Sequence, residues 1–304
     1  MPSFKSRVLA GLLKRFKPII SNLSLELQRV GQDKFNERRK LPKNISLHPA
    51  DIKDVRAEWF HPKNGPEDKA ILFFHGGAYV MGTLASCRIL AMDLAYETCL
   101  NVLSFEYRLA PEHVFPAALE DALKAYDFLI EQGIEPHNVA FVGDSAGGGL
   151  AIATALSLKA KGAGLPAVIV GISPWVDLLG SGGENPEADK DDPLINSMRL
   201  KEAAKQYAGD EPLDNPLISP LFGDFSGGFP STLIHVGTRE VLLDDSVRLK
   251  ERMEAAGVDV SLEIWQDMWH VFQMFDTPES KEAIEAIGDY LNNKLGGGCP
   301  PIDI

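Results

Sequence analysis

The sequence predicts an α/β fold in which a mainly parallel sheet is covered by helices on both faces. Three observations predict it. Short runs apolar on every residue, such as Ala70-Ile71-Leu72-Phe73-Phe74, alternate with stretches of helical period. One strand runs straight into a glycine-punctuated turn, Gly143-Asp144-Ser145-Ala146-Gly147, and from there into a helix. The chain has 304 residues, 45% of them hydrophobic, enough for one large core or two small ones.

In chain order, residues 4–16 form an amphipathic helix with Phe4, Val8, Leu12 and Phe16 on one face. We expect that face to pack on the body of the protein, the alternative being contact with membrane or a partner, with Lys5, Arg7, Lys14 and Arg15 pointing elsewhere. The apolar run from Val8 to Leu13 is too short for a signal peptide, is followed at once by Lys14-Arg15, and lacks a small-residue cleavage site. A second helix covers about residues 22–39, with Leu23, Leu27, Val30 and Phe35 as its apolar positions, and Pro42 and Pro49 close it. Residues 1–50 therefore read as a helical appendage and 51–304 as the main domain.

Beyond residue 50 the period changes. Residues 55–60 read as an antiparallel edge strand and 70–74 as a central one. Helices are expected at 84–99 and 117–131, with strands at 101–105 and 139–142. The helix of about 145–161 is small and apolar nearly all round, which places it against the sheet. Strands at 167–172, 232–236 and 258–264, with helices at about 244–256 and 279–294, complete the alternation. Residues 179–229 carry no strand pattern around one helix near 197–207. A connection this long inside a compact domain is a lid or binding element. The glycine-rich tail from Gly296 reads as flexible.

Lys and Arg number 30 against 43 Asp and Glu, a net charge of −13 and a pI near 5.0. That balance disfavours nucleic acid and anionic membrane as partners. No stretch approaches the roughly 18 apolar residues of a membrane span. Cys87, Cys99 and Cys299 have neither metal-ligand spacing nor a disulfide framework, so a reducing cytoplasm is the expected compartment.

Four clusters fall where parallel strands end, the place where open α/β sheets bind ligands. Gly143-Asp144-Ser145-Ala146-Gly147 has the spacing of a nucleophile elbow, with Ser145 as nucleophile and Ala146 N–H as a donor to a developing oxyanion. His75-Gly76-Gly77-Ala78-Tyr79 follows the strand 70–74, and Gly76 and Gly77 let the backbone turn further N–H groups inward. Asp267-Met268-Trp269-His270 follows the last strand, so His270 completes the chain order serine, acid, histidine. The acid belongs on the loop after 232–236, where Glu240, Asp244 and Asp245 are candidates. Glu240 lies nearest the strand end and is favoured. Asp244 is the alternative, because a carboxylate at a helix start more often caps N–H groups.

Together, His75-Gly76-Gly77-Ala78-Tyr79-Val80-Met81-Gly82, Tyr107-Arg108-Leu109-Ala110-Pro111-Glu112, Gly143-Asp144-Ser145-Ala146-Gly147-Gly148 and Asp267-Met268-Trp269-His270 resemble the bacterial hormone-sensitive-lipase-like (family IV) carboxylesterases, within the α/β-hydrolase superfamily. The resemblance spans roughly residues 50–295. It implies an α/β-hydrolase fold and a helical cap made from residues 1–50 and the insertion 179–229. The implied enzyme is a serine carboxylesterase for short-chain esters, using Ser145, Glu240 and His270 with Gly76, Gly77 and Ala146 at the oxyanion. It needs no cofactor or metal and acts on a small-molecule ester without inserting into membrane, as a homodimer paired through the last strand. Two departures are Ala78 in place of the family's third glycine, and Glu240 where Asp is commoner. Tyr107 to Glu112 reads as structural, with Arg108 and Glu112 fixing a loop beside the site. The same triad would serve an amidase or deacetylase. A non-catalytic ligand-binding relative is disfavoured by the presence of His270.

Overall fold

The computed structural model describes residues 2–36, 40–183 and 186–298. Two helices come first, α1 (Phe4–Ser21) and α2 (Leu25–Asn36), followed by the hairpin β1 (Ile45–Ile52) and β2 (Val55–Pro62). Strands and helices then alternate: β3 (Ala70–Phe74), α3 (Leu84–Thr98), β4 (Asn101–Phe105), α4 (Ala117–Glu131), β5 (Val139–Asp144), α5 (Ala146–Ala160) and β6 (Val168–Ile172). The insertion holds α6 (Pro186–Asp191) and α7 (Ser197–Ala208), and β7 (Ser231–Gly237), α8 (Leu243–Ala255), β8 (Val260–Trp265) and α9 (Pro278–Leu295) finish the chain.

The eight strands form one sheet in the order β1-β2-β4-β3-β5-β6-β7-β8. β2 runs antiparallel to both β1 and β4, and every later pairing is parallel. Successive side chains on a strand point to opposite faces, so one apolar run feeds two cores. Leu72, Phe74, Val139 and Phe141 join Leu119, Leu129, Ile152, Leu249 and Met253 of α4, α5 and α8 on one face. Ile71, Phe73, Ala140 and Val142 join Leu90, Leu94, Ile284, Ile287 and Leu291 of α3 and α9 on the other. α5 is buried along almost its whole length, as its all-round apolar sequence requires.

Four expectations need correction. Residues 55–60 are not the sheet edge: β1 lies outside β2, paired along Ile45 to Ile52. Pro49 lies within β1 rather than closing a helix, and an edge strand tolerates a residue with no N–H to donate. The helix α6 was not anticipated. It is short, and none of its residues is buried, so no apolar period marks it.

The third correction concerns α1. Phe4, Val8, Leu12 and Phe16 are exposed, whereas Ser6 and Ala10 are buried and Leu9 and Leu13 partly so. Close approach decides the rotation. Ser6 Oγ donates to Glu279 at 2.6 Å, and Ala10 fits against Met268, Trp269, Phe272 and Ala283 where a larger side chain would hold the helix off.

The fourth concerns the cysteines. Cys87 is a buried free thiol whose pKa burial pushes up to about 12, but Cys99 is disulfide-bonded. Cys99 ends α3, which packs on α9, and a Cβ on Gly297 would lie 3.2 Å from Leu100. The fold thus brings distant sequence beside it, which spacing alone does not show. Cys299 and the tail beyond Gly298, like residues 37–39 of the expected second helix, lie outside the described residues. No described helix is long and apolar enough to cross a membrane.

Candidate active site

The elbow is built by crowding. Ser145 sits at φ 53°, ψ −121°, a conformation costing a non-glycine residue about 1–3 kcal/mol and held only by its surroundings. Those surroundings are the bonds Ser145 N–H to Ile172 O at 2.8 Å and Trp175 N–H to Ser145 O at 2.9 Å. A Cβ on Gly147 would come within 2.0 Å of Phe74 O, and one on Gly143 within 2.4 Å of Gly147 O. Both glycines are there because β5, α5 and β3 leave no room for a methyl.

The turn aims Ser145 Oγ at His270 Nε2, 2.9 Å away, and His270 Nδ1 lies 2.9 Å from Glu240 Oε2. Because a carboxylate oxygen accepts, Nδ1 carries the proton and Nε2 accepts from the serine hydroxyl. Glu240 Oε1 accepts from Gly237 N–H at 2.5 Å and from Ser173 Oγ at 2.9 Å. Ser173 Oγ accepts in turn from Val271 N–H at 3.1 Å. One fully buried hydroxyl therefore ties the acid to the loop that carries the histidine. Asp244 has a side chain 61% exposed and pairs with Arg248 at 3.5 Å, whereas the buried Glu240 holds the histidine. Asp245 accepts N–H bonds from Val176 and Asp177, and burial raises its pKa to about 7.

Burial acts to lower the pKa of His270. The hydrogen bond and charge of Glu240, aided by Asp192 and Asp144, outweigh that and leave it raised. Asp192, in the loop after α6, is fully buried. It accepts N–H bonds from Leu194, Ile195 and Val241, which joins the insertion to the residue after Glu240. Desolvation raises its pKa.

On the other side of Ser145, the loop after β3 is bent by three consecutive positive-φ residues, Gly77, Ala78 and Tyr79. At Gly77, φ is 119° and a Cβ would meet Met81 O at 2.0 Å, so only glycine fits. Gly76 N–H donates to Asp144 Oδ1 at 3.0 Å. The expected role of Gly76 as an oxyanion donor is thus corrected: its N–H is engaged in holding the loop to the elbow. Asp144, unassigned from sequence, is that anchor, with a pKa lifted to about 6 by burial against the pull of the Gly76 N–H. His75 stacks on Tyr107 at 4.0 Å, donates Nδ1–H to Gly76 O at 2.8 Å, and is kept neutral by burial, with a pKa of about 4.

The signature after β4 is structural. Arg108 forks onto Asp121 at 2.7 and 2.9 Å, and Glu112 receives two bonds from Arg29 of α2. Arg29 also donates to Val80 O and Ala110 O, pinning α2 over the β3 loop. Tyr207 of α7 stacks on Tyr79 at 3.8 Å, and Lys17 of α1 donates to Asp189 O and Asp192 O. The N-terminal helices and the insertion thus both close on the loops around Ser145. Ser173 and Asp192 were missed from sequence. Ser173 directly follows β6, a strand-end position like the four that were found, whereas Asp192 carries no local signal.

Residues 71–274 match the model of the α/β-hydrolase-fold family. The chain belongs to this family. The hydrolase is 38% identical to an acetyl-hydrolase of Streptomyces hygroscopicus over 91% of this chain and 93% of that one. It is 36% identical to an esterase of Acinetobacter venetianus over 84% and 85% of the two chains. Among solved structures it superposes on an esterase from the bacterial hormone-sensitive lipase family with a TM-score of 0.90 at 34% identity, covering 97% of this chain and 100% of that one. EstE5, solved after soaking with p-nitrophenyl butyrate, gives a TM-score of 0.90 at 35% identity over 97% and 99%. The hydrolase is a carboxylic ester hydrolase of this hormone-sensitive-lipase-like group.

Proposed function

We propose that Ser145, His270 and Glu240 are the catalytic triad of a serine carboxylesterase that prefers short acyl chains. The observation that carries this is the unbroken line of two 2.9 Å hydrogen bonds from Ser145 Oγ through His270 to Glu240. Ser145 Oγ attacks the ester carbonyl while His270 Nε2 takes its proton, and Glu240 stabilises the imidazolium. Ala146 N–H, at the first turn of α5 where it has no intrahelical partner, and Gly77 N–H receive the oxyanion. With Gly76 held by Asp144, Ala78 N–H takes its place as the third donor. His270 then protonates the leaving alcohol, and water repeats the sequence on the acyl-enzyme.

Residues 1–50 and 179–229 act as the cap. The contacts of Arg29, Lys17 and Tyr207 with the site loops support that reading. The short-chain preference draws on the names of relatives, among them the acetyl-hydrolase and an ethyl acetate hydrolase of Pseudomonas putida, 32% identical over 74% of this chain and 73% of that one. A homodimer through the open edge of β8 belongs to the same proposal. Turnover of p-nitrophenyl esters from acetate to palmitate tests the preference: a maximum at acetate or butyrate is expected, and a maximum at palmitate overturns it. Ester hydrolysis should exceed that of the matched anilide, which separates an esterase from an amidase with the same triad.

A further inference from the structure

α1 turns a wide apolar stripe to solvent. Phe4 is 76% exposed and Ile19 60%, with Val8, Leu12, Phe16 and Ile20 between 46% and 49%. At 3.6 residues per turn these six span about 160° of the helix surface, an arc they share with the exposed Lys5 and Arg15. Leu23, Leu27 and Val30, before and on α2, are exposed as well. A monomeric soluble protein rarely leaves so much contiguous apolar surface in water. The rotation of the helix is not arbitrary, because Ser6 to Glu279 and Lys17 to Asp189 and Asp192 fix the opposite face against the body.

Charge identifies the occupant. α1 carries Lys5, Arg7, Lys14, Arg15 and Lys17 and no acidic residue, in a chain whose net charge is −13. Arg7 and Arg15 are exposed and make no ion pair among the described residues. Lys5 and Lys14 lie in exposed pairs with Asp276 and Asp191, which contribute little and exchange easily. Two copies of α1 placed face to face would set like charges against each other. An anionic surface would complement them.

We propose that the α1 stripe docks on an anionic lipid bilayer, with the apolar side chains at the acyl boundary and Arg7, Lys14 and Arg15 among the headgroups. The overall acidity of the chain argues the other way. Screening confines each charge to a Debye length of about 8–10 Å, so what the headgroups meet is α1.

The test sediments the full chain with vesicles of phosphatidylcholine alone and of phosphatidylcholine mixed with phosphatidylglycerol. Anionic vesicles should retain at least about tenfold more protein, and added salt should release it. The double variants Leu12→Asp/Phe16→Asp and Arg7→Glu/Arg15→Glu should each lose about tenfold or more of that binding. Their thermal midpoints should stay at the wild-type level. Equal retention by both vesicle types, or none, overturns the proposal. So does a wild-type dimer in light scattering that Leu12→Asp/Phe16→Asp makes monomeric, since a second copy then covers the stripe.

Discussion

The loops around Ser145 and the helix α1 solve opposite packing problems. In the first, bulky and charged groups are drawn inward, and a buried carboxylate, imidazole and hydroxyl satisfy one another through named bonds. In the second, the small residues Ser6 and Ala10 face inward while Phe4, Val8, Leu12 and Phe16 look out. Charge burial is tolerable at the first site because each ion has a hydrogen-bond partner. At the second, close contact with the loop 268–275 matters more than burying the largest side chains. The difference teaches that polar satisfaction governs the centre and steric fit governs the N-terminal helix.

The strongest way to break this contrast is to remove the Ser145 hydroxyl, the proposed nucleophile. Ser145→Ala should lower ester hydrolysis by at least about a thousandfold while leaving the thermal midpoint near wild type, since only one hydroxyl is lost. Comparable turnover in the variant would sink the triad reading. A fluorophosphonate probe checks the same point independently: it should label Ser145 in the wild type and nothing in the variant.

Glu240→Gln sharpens the electrostatic half. The variant keeps the shape but loses the charge, and kcat should fall on the order of 10³- to 10⁴-fold. The pH profile carries the sign. His270 must be neutral to accept the serine proton, and Glu240 holds its pKa above the ordinary value, so kcat/KM rises only as pH passes that raised pKa. Without Glu240 the rise should move to lower pH. An acid limb that stays in place would mean that Glu240 does not set the histidine's charge.

These residues also show what the sequence made legible. Ser145, His270 and Glu240 lie a few residues beyond strand ends, and a parallel sheet gathers its strand ends on one side. Chain order alone therefore brought the three together. Glu240 could be preferred over Asp244 because one stands by the strand and the other enters α8. The direction of α1 was not legible, because Ser6 and Ala10 are chosen by the shape of a surface assembled from residues 268–283. β1 was hidden by Pro49, which an edge strand admits and a central one does not. Asp192 reaches the site only through the insertion, whose path no local period encodes. Gly76 was misread for a related reason: its glycine leaves room for Asp144, where a Cβ would meet Oδ2 at 2.2 Å.

A smaller effect is expected at Ser173, which no reactive atom touches. Ser173→Ala removes one of two donors to Glu240 Oε1 and the acceptor for Val271 N–H, leaving that buried N–H without its partner at about 1–3 kcal/mol. As a positioning residue it should lower kcat by roughly tenfold, with KM little changed, because the misplaced acid is felt when the imidazolium forms. A purely structural role would instead lower stability and leave kcat of the folded fraction unaltered.

The least effect falls on α2. Arg29 bonds Val80 O, Ala110 O and Glu112, and in doing so lays α2 against the loop that presents Gly77. Its ion pair with Glu112 is largely open to water, so Arg29→Ala should cost little stability, about 1 kcal/mol or less and a shift in midpoint of roughly 1–3 °C. The carbonyl bonds matter more than the charge, because they fix the position of a neighbouring element. KM for a short-chain ester should therefore rise a fewfold with kcat near wild type. Arg29→Lys should restore little of it, since a single ammonium cannot span the two carbonyls and the carboxylate at once. If instead Arg29→Ala lowers kcat with KM unchanged, α2 acts on the loop after β3 itself, and the separation between N-terminal helices fitted by shape and a centre governed by charge fails at that contact.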